Sequence, residues 1–103
     1  MINFPDSLPM DAILLVISKI KGKEEHSNKE FAQALWNIVG YAASQTIQED
    51  KPLIGDVQDL NLDDFAAILE QAISMKDSPE VTKLPWANIL KIGLKLLITI
   101  FLL

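Results

Sequence analysis

The chain has no cysteine and no arginine, and only one histidine and four glycines in 103 residues. Each shortage removes a class of function. Without thiols there is no disulfide framework, thiolate nucleophile, cysteine zinc site or iron–sulfur cluster, and the redox state of the compartment stays open. Without arginine the bidentate donor that suits phosphate and guanine is missing. The nine cations are all lysines, outnumbered by 14 acids for a formal charge of −5. A nucleic-acid binder carries a basic footprint, so nucleic acid is not expected as a partner.

The sole imidazole, His26, stands among Glu24, Glu25, Ser27 and Asn28, with no second imidazole to share a metal. It reads as a solvated loop residue ahead of a helix. No phosphate-cradling glycine loop occurs, and no serine has a base in a nucleophile pattern. Asp63 and Asp64 are adjacent and diverge by about 100° on a helix, so they do not form an acid/base pair. The expectation is a non-enzyme without cofactor or metal. The first residues, Met1 to Asp6, lack the positive n-region of a secretory signal. The cytoplasm is the expected location.

Half of the chain is hydrophobic and 22 % is charged, which suits a folded core rather than a disordered chain. The length implies a single domain over residues 1–103. Periodicity and punctuation predict an all-α bundle of about four helices, over 9–21, 28–48, 62–76 and 85–103, and no segment alternates as a strand.

In the first helix, Met10, Ile13, Leu14, Ile17 and Ile20 share a face, Pro9 suits the first turn and Gly22 suits a left-handed terminus. Ser27 and Glu30 make an S-x-x-E capping box for the second, whose Phe31, Leu35, Ile38 and Ala42 align. Gly40 in its middle points to a close helix crossing. Asn61 is the expected cap of the third, followed by Asp63 and Asp64 at the positive end of the helix dipole.

Around that cap, Asp59, Asn61, Asp63 and Glu70 have the spacing of EF-hand positions 1, 3, 5 and 12. Asp64 stands where the sixth position needs glycine, so calcium is not expected there. The run Asp59-Leu60-Asn61-Leu62-Asp63-Asp64-Phe65 resembles the D-L-G-x-D-S-L turn of acyl carrier proteins over about seven residues. Asp64 occupies the place of that family's phosphopantetheine serine, so the resemblance does not imply carrier function.

The C-terminal helix is the most unusual part. Fourteen of residues 84–103 are hydrophobic, and no acid follows Glu80. At 100° per residue, Asn88, Lys91, Lys95 and Thr99 fall within about 80° of one another, and the rest of the circumference is apolar. Three environments suit such a helix. It can sit at the centre of the bundle with its lysines reaching solvent. Its surplus apolar surface, with Trp86, Ile89, Ile92, Leu96, Ile100 and Phe101 as interface candidates, can be covered by another copy or another protein. It can also tether the chain to a membrane.

For a membrane span the length is adequate, about 28 Å against a hydrocarbon core of about 30 Å. Lys91 and Lys95 would then lie near the bilayer centre at about 2.5–3.5 kcal/mol each, which disfavours spanning. The apolar ending also suits the N-terminal domain of a longer product. The functional expectation is a helical protein-interaction or self-association module, a homo-oligomer in its simplest form. The alternative is a small membrane-associated protein tethered by its last helix. For Trp36 and Trp86, an aromatic in a helix is usually core, and exposure in the folded state is what would make either an interface anchor.

Overall fold

The computed structural model describes residues 7–23, 25–48 and 62–102. They form four helices in a compact globule: α1 (Met10–Lys21), α2 (Asn28–Gln48), α3 (Leu62–Ser74) and α4 (Trp86–Leu102), with a short 3-10 helix at Pro79–Lys83 ahead of α4. Among the described residues there is no strand. The radius of gyration, 12.9 Å, matches the roughly 13 Å of a folded chain of this length.

Local chemistry accounts for the helix ends. Gly22 follows α1 at φ +68°, and the amides of Gly22 and Lys23 donate to the carbonyls of Lys19 and Ser18, the paired bonds of a Schellman ending. Pro9 lies just before the first turn, and its carbonyl accepts from the Ile13 amide. At the start of α2 the capping box closes as the S-x-x-E spacing implies. The Glu30 amide donates to the Ser27 hydroxyl at 3.1 Å, and the Ser27 amide donates back to the Glu30 carboxylate at 3.4 Å. The Lys19 ammonium donates to the His26 carbonyl at 2.8 Å and lies 6.0 Å from the Phe31 ring, tying the turn to both helices. Asp63 and Asp64 occupy the first turn of α3, while Asn61 lies outside the described residues.

The third helix is shorter than its periodicity predicts, ending at Ser74 rather than at 76. The Met75 amide is shared between the carbonyls of Gln71 and Ala72, and the following amides tighten into i→i+3 turns. Pro79 forces its neighbour out of the helical region, and Ser78 is extended at φ −107°, ψ 139°. From that position the Ser78 hydroxyl caps the 3-10 helix by accepting from the Glu80 amide.

The helix at the centre is α2, not α4. It packs most extensively against α4 and also against α1, while α3 packs on α1. The reason lies in how wide an arc α2 can bury: Phe31, Ala34, Leu35, Ile38, Val39, Tyr41 and Ala42 are all interior. Ile13 and Val16 of α1, Phe65 and Leu69 of α3 and Ile89 of α4 complete the core. The Trp86 indole closes the α4 end of this core. Its N–H donates to the Val81 carbonyl at 2.7 Å, and its ring meets Tyr41 edge-on with centroids 4.8 Å apart. Burial pushes the Tyr41 phenol above its usual 10.0.

The tight approach between helices is at Gly93 of α4, over Val39, next in sequence to Gly40. A Cβ at Gly93 would lie 2.6 Å from Val39 Cγ2, closer than carbon atoms pack. Valine in a helix has one strongly preferred rotamer, so it cannot turn aside cheaply. We therefore expect Gly93→Ala to destabilise by up to about 2 kcal/mol, an overpacking cost of about 1–3 kcal/mol less roughly 1 kcal/mol gained from alanine's helix propensity. In a Val39→Ala background the same change should cost little or stabilise. Urea denaturation of the two single variants and the double variant checks this, and equal costs in both backgrounds would show that the methyl contact does not set the crossing.

Candidate functional site

Of the six interface candidates on the C-terminal helix, three are interior in the folded chain. Trp86 is 3 % exposed, and Ile89 and Ile92 are buried with it. Trp86 meets Tyr41 of α2 and the Val81 carbonyl of the 3-10 helix, and Ile89 and Ile92 belong to the same core, where α4 packs on α2. Leu96 and Ile100 are half-buried against that core, and the side chain of Phe101 lies outside the described set. What α4 turns outward, beside Lys95 and Thr99, is a different pair, Leu94 at 40 % and Ile98 at 59 % exposure. They flank the predicted lysine stripe.

The exposed aromatic residue belongs to α2. Trp36 is 54 % exposed, one residue along from the fully buried Leu35. Its neighbours on the outward face are Lys29, Gln33 and Asn37, all exposed. A wheel drawn on α2 already separates Trp36 from the Phe31, Leu35, Ile38 and Ala42 arc, and that displacement is the sequence signal for it.

The outward stripe of α2 is a ridge between two grooves. On one side a hollow of about 510 Å³ runs between α1 and α2, floored by Ala12, Leu15 and Ala34 and edged by Asp11 and Glu30. On the other, a hollow of about 410 Å³ lies between α2 and α4, walled by Ala32, Trp36, Leu97 and Ile100. Lys29 and Gln33 line both. The two hollows differ in charge: the first carries Asp11 and Glu30 beside Lys29, and among the described residues lining the second Lys29 is the only charged side chain.

At the α2 N-terminus the Glu30 carboxylate sits below its ordinary 4.5, held first by the Ser27 amide and then by the Ser27 hydroxyl at 3.2 Å. His26 adds a smaller pull in the same direction, its Nδ1 3.8 Å from Glu30 Oε2. The sign follows from linkage. A depressed carboxylate contributes stability that is complete above the unfolded value and is lost as pH falls through the folded one, so this cap weakens only in acid below about 4.5. Among the described residues no group of three or more His, Asp or Glu is placed to hold a metal ion. Of the EF-hand-like positions, Asp63 and Glu70 are on α3, where Glu70 pairs with Lys21 of α1 at 2.7 Å, and Asp59 and Asn61 lie outside the described residues.

Comparison with family models, curated proteins and solved structures finds no match to this chain. No helix among the described residues is long and apolar enough to cross a membrane.

The environments of the two tryptophans generate two expectations. Trp36→Ala should change stability by no more than about 0.5 kcal/mol, as for an ordinary surface substitution, whereas Trp86→Ala should cost about 3–5 kcal/mol. In single-tryptophan variants, acrylamide should quench Trp36 freely and Trp86 poorly. Separately, Ser27→Ala should raise the Glu30 pKa part of the way toward 4.5, read by carboxyl NMR titration, because the hydroxyl is lost and the larger contribution of the amide at position 27 remains, and it should reduce the acid destabilisation that this cap causes.

Proposed function

We propose that this chain is a non-catalytic helical module that binds another protein through the face shared by α2 and α4. The observation that carries the reading is Trp36, held half in solvent at the edge of an apolar groove that α4 completes with Leu97 and Ile100. Burying an exposed indole releases a large apolar area at low entropic cost, which is why tryptophan is enriched among residues that dominate binding energy. The exposed pair Leu94 and Ile98 supplies further aliphatic area on the same helix that walls the groove. Gln33 and Asn28 put amides at the rim, where a partner's backbone can be satisfied.

This reading keeps the expectation of an interaction module but moves its anchor. The buried residues Trp86, Ile89 and Ile92 build the face from behind, and Trp36 presents it.

The test uses Trp36 as reporter in a Trp86→Phe background. Binding to a partner or to a second copy should shift Trp36 emission to the blue, and Trp36→Ala should weaken that association by about 30-fold or more, equivalent to about 2 kcal/mol. A photo-crosslinking residue at position 36 should give one discrete protein adduct. A strictly monomeric chain at millimolar concentration, with no discrete adduct, would overturn the proposal. Flotation with lipid vesicles instead would establish the membrane-tethered alternative.

A further inference from the structure

We draw no further inference here: the strongest candidate, the apolar groove between α2 and α4 walled by Ala32, Trp36, Leu97 and Ile100, belongs to the site already described, and nothing in the structure shows what covers it.

Discussion

Between α2 and α4 there is no room for a methyl group: a Cβ on Gly93 would press to 2.6 Å from Val39 Cγ2. That approach sets how deep α4 lies on α2, and the placement of the other side chains of α4 follows from it. With the backbones this close, Ile89 and Ile92 are drawn into the core, and Leu97 meets the α2 surface near Ala32 and Trp36. Trp86 locks the other end by bonding the Val81 carbonyl and abutting Tyr41, so the 3-10 helix, α4 and α2 are held as one unit. A wider crossing would leave the Trp86 indole short of its partners and the Trp36 groove without its second wall.

The same packing separates roles among residues of similar character. Trp36 and Trp86 are chemically identical, yet one is mostly wet and the other is the dry end of the core. The difference arises from helix phase. Trp36 follows Leu35 by one residue and so falls about 100° off the buried direction of α2, while Trp86 begins α4 on the side that turns inward. Leu94 and Ile98 are likewise displaced from Ile89 and Gly93, and among the described residues no helix covers them. The exposed tryptophan and the groove beside it are therefore a by-product of placing a wide-arc helix, α2, at the centre.

Much of the local structure was legible from residue order alone. Ser27 and Glu30 announced the start of α2, Gly22 the end of α1 and Asp63 with Asp64 the first turn of α3. Each of these depends on hydrogen bonds or charges within one turn of the chain. Legibility was lost between Ser74 and Pro79, where the run Lys76-Asp77-Ser78-Pro79 marks an end to the helix without saying at which residue it comes. The proline two turns ahead of α4 converted the stretch into a tight turn and a 3-10 helix. For the six candidates on α4 the sequence did not separate inside from outside: Trp86, Ile89 and Ile92 are interior, Ile100 lines the groove, and the exposed tryptophan is on α2.

Composition and periodicity by themselves determined that this protein is an acidic, cysteine-free set of four helices, and where the first two of them begin and end. Those properties are written in i, i+3 and i+4 relationships, and a helix obeys them without knowing its neighbours. Which helix lies at the centre, which tryptophan meets water and where the grooves beside it open were decided only by the tertiary structure. Burial is a property of pairs of surfaces, and an apolar arc on one helix does not state which part of it another helix will cover.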